Sequence, residues 1–166
     1  MKLRLKSKAA ENWRYVLAED EAQYIGSIPG VDCTDFENEW IRYSAGWLLV
    51  KKPYGWDGCS GRLGPLEVSD GPLGPDGHPL MWRASLVHDP LYQFGEQMAK
   101  QWGIRWDSRL PWQVSFRPWA DRVFLRFGRA SGYEYADTYY WMVRWLGGFY
   151  HAVNSLERSM RAGEAK

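Results

Sequence analysis

A segment rich in glycine and proline divides this chain of 166 residues into two parts with different apolar patterns. Residues 53–79 contain five of the nine prolines and seven of the 17 glycines, and no sustained apolar period runs through them. Proline removes a backbone donor and glycine costs conformational entropy, so neither a long helix nor a long strand is expected here. Trp56 and Leu63 give the segment apolar side chains to bury. We therefore predict a long structured loop, and such loops in compact domains are usually functional or mobile.

Before this loop, the sequence carries short apolar patterns that are typical of strands. Strands are predicted at residues 13–17, 36–43 and 46–52, with a tight turn at residues 44–46 between the last two. The first third of the chain is therefore expected to form a small antiparallel sheet.

After the loop, apolar residues recur at steps of three and four. This spacing predicts helices at residues 80–102, 118–130 and 134–160. Pro90 lies inside the first helix, where it is expected either to kink the helix or to end it. The predicted fold class is α+β in a single domain, 1–166, which comprises a β-region (1–52), the Gly/Pro loop (53–79), a helical region (80–160) and a flexible tail (161–166).

Charge and composition argue against several kinds of partner and location. The formal net charge is +1 and no long run of one sign occurs, so we predict no nucleic-acid partner. No apolar run reaches about 18 residues, and the basic start of the chain is not followed by an apolar region. We therefore expect neither a transmembrane segment nor a signal peptide. Two cysteines do not make a disulfide framework, which suits a reducing cytoplasm.

Aromatic residues are unusually frequent, with 11 Trp and 10 Tyr. Such residues build cores, but their polar atoms also suit them to interfaces with proteins, glycans or lipid headgroups. The composition leaves both interpretations open. A loose cluster of arginines and tryptophans is consistent either with a phosphate-binding surface or with an ordinary exposed face; it contains Arg105, Arg109, Arg117, Arg122, Trp106, Trp112 and Trp119.

The stretch at residues 84–92 carries the clearest chemical pattern, because it sets His88, Asp89 and Tyr92 in the order H-D-x-x-Y within an apolar run. On a helix, His88 and Tyr92 lie one turn apart on the same face, with Asp89 about 100° around the axis. An imidazole, a carboxylate and a phenol then share one small volume. Such a trio can transfer protons, bind a metal ion, or do both.

A second acid, Asp121, lies in the sequence A-D-R-V-F on a later predicted helix. We predict that two antiparallel helices bring Asp121 to His88, with the hydroxyl of Tyr92 donated to the same carboxylate. The carboxylate would hold one imidazole nitrogen and leave the other to take a proton from water. A buried His–Asp pair is also often only a satisfied hydrogen-bonded pair, and the residues leave this alternative open.

Asp89 is predicted to point away from that pair and to bind a cation together with carbonyl groups of the loop. Ca²⁺ takes several oxygen ligands, and a bound cation would stabilise a developing oxyanion. Asp57 and Ser60, in W-D-G-C-S, are candidate supporting residues of this loop, or form only an Asx turn. We expect His78 and His151 to be surface or packing residues.

Four ordered motifs resemble a small phage-encoded domain family of unknown function. That family shows the patterns D-x-x-S, H-D-x-L-Y, A-D-x-x-F and V-R-x-x-G, and the resemblance extends over roughly residues 13–150. It implies a bacteriophage or prophage origin and brings no known activity. The matching segments are W-D-G-C-S (56–60), A-S-L-V-H-D-P-L-Y (84–92), A-D-R-V-F (120–124) and V-R-W-L-G-G (143–148).

H-D-x-x-Y followed by D-x-x-F on a later helix is also similar to the phospholipase A2 superfamily. In that superfamily the His is the general base, the adjacent Asp binds Ca²⁺, and the Tyr and the later Asp brace the His. The resemblance implies that His88 is the base and Asp89 the calcium ligand, with Tyr92 and Asp121 as the support. The sequence departs from the superfamily in three ways: its calcium loop has only partial counterparts within 53–79, a proline follows the Asp, and the disulfide framework is absent.

Three functions follow as hypotheses. The first is a phage-encoded, phospholipase A2-like hydrolase that uses His88 and Asp121 to activate water, with a phospholipid ester as the first candidate substrate and a cell-wall bond as the second. The second is a non-catalytic virion, tail or assembly protein whose motifs are structural and whose aromatic surface contacts other virion proteins or a second copy of the chain. The third is a small effector that binds a host protein. The expected location is the host cytoplasm, or the virion under the second hypothesis.

Overall fold

The fold is α+β, as the sequence predicted, with short antiparallel strands followed by helices. The computed structural model describes residues 3–5, 15–56, 58–59, 61–63, 66–68, 70–108 and 113–145.

Two small antiparallel sheets form the N-terminal part of the described chain. One has the strand order β1-β2-β7 and the other the order β3-β6-β5-β4, while β8 and β9 pair as a separate hairpin. The strands are β1 (Leu3–Leu5), β2 (Tyr15–Leu17), β3 (Glu21–Tyr24), β4 (Phe36–Glu37), β5 (Ile41–Ser44), β6 (Trp47–Val50), β7 (Gly55–Trp56), β8 (Gly61–Leu63) and β9 (Leu66–Val68).

The hairpin of β5 and β6 has the tight turn that the sequence predicted. Ala45 and Gly46 both have positive φ, at 48° and 84°, as a two-residue type I′ turn requires. The alternation buries Ile41 and Tyr43 on β5 and Leu48 on β6. One face of this sheet therefore belongs to the core.

The predicted strand at 36–43 is two strands, because Asn38 turns the chain between them. Its side-chain oxygen accepts the backbone N–H groups of Trp40 and Ile41, each at 2.8 Å. The sequence also missed β3, an edge strand whose E-A-Q-Y segment lacks an apolar alternation. Of the predicted strand at 13–17, residues 15–17 form β2, and the first two residues lie outside the described ranges.

The prediction of a long loop at 53–79 was wrong in part. β7 pairs with β2, β8 pairs with β9, and an isolated bridge joins Leu73 to Pro79. These strands have two or three residues each, too few for an alternating pattern to show against the surrounding glycines and prolines.

Helix α1 (Trp82–Gln101) runs through Pro90 as one helix, so the alternative in which Pro90 ends it was wrong. Pro90 is buried in the helix interior, where a proline costs about 3 kcal/mol. Burial of the apolar face on both sides of the proline outweighs that cost. Trp56 of β7 donates its indole N–H to Ser85 at 3.2 Å, and Tyr43 of β5 packs on Trp102 at 5.0 Å, so α1 lies against both sheets.

Helix α2 (Phe116–Ala130) packs antiparallel to α1. A Cβ atom on Gly128, near its end, would lie 3.1 Å from the side chain of Met81, whereas Phe116, at its start, stacks near Trp102 at 5.6 Å. Residues 136–145 form a third helical stretch, and residues 146–160 of the predicted helix and the tail 161–166 lie outside the described chain. Among the described residues, no helix combines the length and apolarity that a membrane crossing requires.

Candidate active site

His88 and Tyr92 lie one turn apart on the buried face of α1, as their spacing predicted. The exposed fraction of His88 is 7%, and its ring packs against that of Tyr92 with a centroid distance of 4.1 Å. Phe124 of α2 closes another side of the imidazole at 5.0 Å. The amphipathic spacing of α1 therefore turns both polar rings toward α2 rather than toward solvent.

Asp121 faces these two rings from the middle of α2. The two helices approach closely enough for this contact. Gly95 of α1 shows how closely they pack, since an added Cβ atom there would collide with the rings of Trp106 and Phe116. Asp121 is fully buried, with an exposed fraction of 0%. A carboxylate in such a position is costly unless its oxygens accept hydrogen bonds.

The carboxylate of Asp121 is the centre of a compact network. Its Oδ1 lies 3.3 Å from Nε2 of His88 and accepts the hydroxyl of Tyr92 at 2.5 Å. Both contacts were predicted from the sequence. Because a carboxylate can only accept, Nε2 of His88 carries the hydrogen in this pair, and the lone pair of a neutral imidazole is then on Nδ1.

Arginines that the sequence analysis did not assign to the site surround this centre. Arg144 donates from Nη1 to Oδ2 of Asp121 at 3.4 Å, and the same nitrogen lies 3.9 Å from Oδ1 of Asp107. Arg117 donates from Nε to the hydroxyl oxygen of Tyr92 at 3.1 Å and from Nη1 to Asp107 at 2.6 Å. The positive charges of the two arginines offset the negative charges of Asp107 and Asp121, so these four groups together carry no net charge.

Burial, together with the negative charge of Asp121 and the hydrogen bond to it, raises the pKa of Tyr92 well above its ordinary value, although Arg117 opposes this shift. The phenol therefore stays protonated at neutral pH and acts as a donor. For Arg117, burial by itself lowers the pKa, but Tyr92, Asp107 and Asp121 raise it more. Its guanidinium consequently remains charged inside the protein.

The placement of Arg117 corrects one expectation. The sequence grouped this residue with a loose basic and aromatic cluster, which fits an exposed face, yet its exposed fraction is only 7%. Its hydrogen-bond partners come from α1, from the segment between the helices and from the third helical stretch. Sequence spacing carries no signal of such contacts. For Arg144 one signal existed, because it is the arginine of V-R-W-L-G-G.

Asp89 lies on the opposite side of the imidazole from Asp121. Its Oδ1 is 4.0 Å from Nδ1 of His88, and about a third of its side chain is exposed, 32%. Nδ1 therefore faces a carboxylate that is partly exposed to solvent. Ca²⁺ takes six to eight oxygens, whereas no group of three or more His, Cys, Asp or Glu in the described ranges could hold a metal ion. The predicted site, one carboxylate with carbonyl groups of the loop, is of a different kind, and Ca²⁺ binding at Asp89 stays a prediction.

The other predicted loop residues, Asp57 and Ser60, lie outside the described chain, as does His151. A different carboxylate, that of Asp70, organises the described part of this region. It is 2% exposed and accepts the hydroxyl of Tyr15 at 2.7 Å and the backbone N–H of Cys59 at 2.5 Å. His78 packs edge-on against Trp82 at 5.4 Å, which agrees with the expected packing role.

Comparisons with protein-family models, with curated proteins and with solved structures find no match to this chain. The similarities to a phage-encoded family and to the phospholipase A2 superfamily therefore rest on the motifs alone. The geometry that these motifs form in the fold is a buried imidazole held at Nε2 by a carboxylate.

Proposed function

We propose that this chain is a phage-encoded, phospholipase A2-like hydrolase in which His88 is the general base. One observation carries the proposal: Asp121 holds Nε2 of His88 at 3.3 Å, while Nδ1 faces the partly exposed carboxylate of Asp89. A neutral imidazole in this tautomer is oriented to accept a proton from water.

The chemistry requires only groups already described. Nδ1 of His88 takes a proton from water as the water oxygen bonds to the carbonyl carbon of an ester. Asp121 stabilises the imidazolium that forms. The imidazolium then returns the proton to the leaving alcohol oxygen as the carbon–oxygen bond breaks. An acyl ester of a phospholipid is the first substrate to test, and a cell-wall bond the second.

The test is hydrolysis of phospholipid vesicles and of a soluble ester by the purified protein. We expect His88→Gln to lower the rate about 10²- to 10⁴-fold, the usual contribution of a positioned general base. His78→Gln is the matched control, because His78 packs against Trp82 of the same helix α1, away from Asp121. Equal rates for His88→Gln and the unmodified protein would contradict the assignment.

A second candidate, a structural virion or assembly protein, is favoured by the completeness of the network. Within the described part of the chain, no buried side-chain nitrogen or oxygen lacks a hydrogen-bond partner. Such a network can simply hold three helical segments together. Light scattering distinguishes this candidate, since a defined oligomer without hydrolytic activity would support it and an active monomer would not.

A further inference from the structure

Arg117 is bound on all three nitrogen atoms of its guanidinium group. Nε donates to the hydroxyl oxygen of Tyr92 at 3.1 Å, Nη1 donates to Asp107 at 2.6 Å, and Nη2 donates to the backbone carbonyl of Arg144 at 2.5 Å. Its planar fork therefore joins α1, the segment after α1 and the third helical stretch. An arginine bound in this way is held in one orientation.

That orientation decides where the single hydroxyl hydrogen of Tyr92 points. A phenol has one hydrogen to donate and accepts on its oxygen. Because Nε of Arg117 supplies a hydrogen to the oxygen, the hydrogen of Tyr92 is directed to Oδ1 of Asp121 at 2.5 Å. The same Oδ1 faces Nε2 of His88. Arg117 thus acts on the imidazole through two intervening groups.

We propose that Arg117 is a positioning residue, which keeps His88 in the tautomer with hydrogen on Nε2 by orienting Tyr92 and Asp121. The tautomer does not depend on whether the protein is a hydrolase. Only the kinetic part of the test rests on the proposed function. A lysine cannot take over this role, because one ammonium group does not reproduce three donors in a planar fork.

The direct test is ¹⁵N NMR of the histidine ring nitrogens at pH 8. In the unmodified protein we expect His88 to carry its hydrogen on Nε2. In Arg117→Lys and Arg117→Met we expect a mixture of both tautomers. Unchanged ring-nitrogen shifts in a folded Arg117→Lys protein would overturn the proposal.

Arg129→Lys is the matched control. Arg129 lies on the same helix and also reaches toward the third helical stretch, where it donates to Asp137 from Nε at 3.2 Å and from Nη2 at 2.5 Å. Its side chain is 62% exposed and does not touch the network. We expect the tautomer of His88 to be unchanged in this variant, and a change equal to that in Arg117→Lys would also overturn the proposal.

Tyr92→Phe keeps the test decisive if the Arg117 variants do not fold, because it removes the hydroxyl group and leaves the ring in place. Mixed tautomers in Tyr92→Phe would support the proposal, and a pure Nε2 tautomer would refute it. If the unmodified protein hydrolyses esters, Arg117→Lys should lower kcat about 10²-fold, as a misplacement of about 1 Å can, with KM within about twofold. Absence of hydrolysis in the unmodified protein would contradict the proposed function and leave the NMR result to decide the role of Arg117.

Discussion

Two buried carboxylates, Asp70 and Asp121, each accept a tyrosine hydroxyl, but their other described partners differ. Asp70 binds Tyr15 at 2.7 Å and the backbone N–H of Cys59, so it ties the first sheet to the segment that leads into α1. Asp121 binds Tyr92 at 2.5 Å and also faces the imidazole of His88. Both residues are nearly or fully inaccessible to solvent.

The comparison shows that burial and a phenol partner do not by themselves indicate a functional carboxylate. A carboxylate with hydroxyl and amide donors is a stable brace. A carboxylate beside an imidazole can also fix the tautomer of the ring and stabilise the imidazolium when the ring takes up a proton. The imidazole beside Asp121, rather than the carboxylate itself, therefore distinguishes the candidate active site from the structural brace at Asp70.

The largest effect is expected from exchanging each acid for its amide. Asp121→Asn should lower any hydrolytic rate about 10²- to 10⁴-fold, because the imidazole loses the group that sets its tautomer. Asp70→Asn should leave the rate within about threefold per folded molecule. Initial rates normalised to the folded fraction measure this difference, and equal losses in the two variants would remove the distinction between the carboxylates.

At Asp70 we expect the amide exchange to change the stability of the protein rather than its hydrolytic rate. Asp70→Asn places an amide against the backbone N–H of Cys59, and we expect a loss of about 1–3 kcal/mol in the free energy of unfolding. Gly58→Ala should act on the same brace, because Gly58 has a φ of 73° and a Cβ atom there would collide with Asp70. Urea denaturation measures both losses, and a fully stable Gly58→Ala protein would contradict the described packing.

Calcium binding provides a further contrast with Asp70, because the second acid near His88 is Asp89, the predicted calcium ligand. If Ca²⁺ binds there, the folded state gains about 1.4 kcal/mol at ten times Kd, and Asp89→Asn should abolish this gain. Asp70→Asn should retain it. Thermal unfolding with EDTA, Ca²⁺, Mg²⁺ and Zn²⁺ provides the measurement, and an unchanged calcium effect in Asp89→Asn would place the metal elsewhere.

The two tyrosines provide the smallest contrast. Tyr15→Phe and Tyr92→Phe should each cost about 1 kcal/mol for the lost hydrogen bond. Because burial and Asp121 raise the pKa of Tyr92, the unfolded chain ionises at this residue before the folded protein does. The contribution of Tyr92 to stability is therefore present below about pH 10 and lost as the pH rises further. The alkaline fall in stability should be shallower in Tyr92→Phe, and equal slopes would contradict the shift.

Local sequence patterns predicted much of the fold and part of the candidate site. The step of four from His88 to Tyr92 needs only helical geometry, and the short turn at Ala45 and Gly46 needs only its two neighbouring strands. The strands within 53–79 were not predicted, because each pairs with its partner through only two or three residues. In addition, β7 pairs with β2, which is distant along the chain. Pairing of that kind is decided by the whole fold rather than by local preference.

The sequence by itself determined the α+β class and the face of α1 that carries His88 and Tyr92, because helical periodicity is a local property. The order of the motifs predicted the pairing of His88 with Asp121, but these residues are 33 apart and meet only because α2 packs on α1. Only the tertiary structure decided that Pro90 lies inside a continuous helix, that Asp70 braces the first sheet, and that Arg117 and Arg144 surround the central carboxylate. Their partners are 10 to 55 residues away along the chain. Such contacts form only when packing brings the elements together, since buried charges must then find partners wherever the fold supplies them.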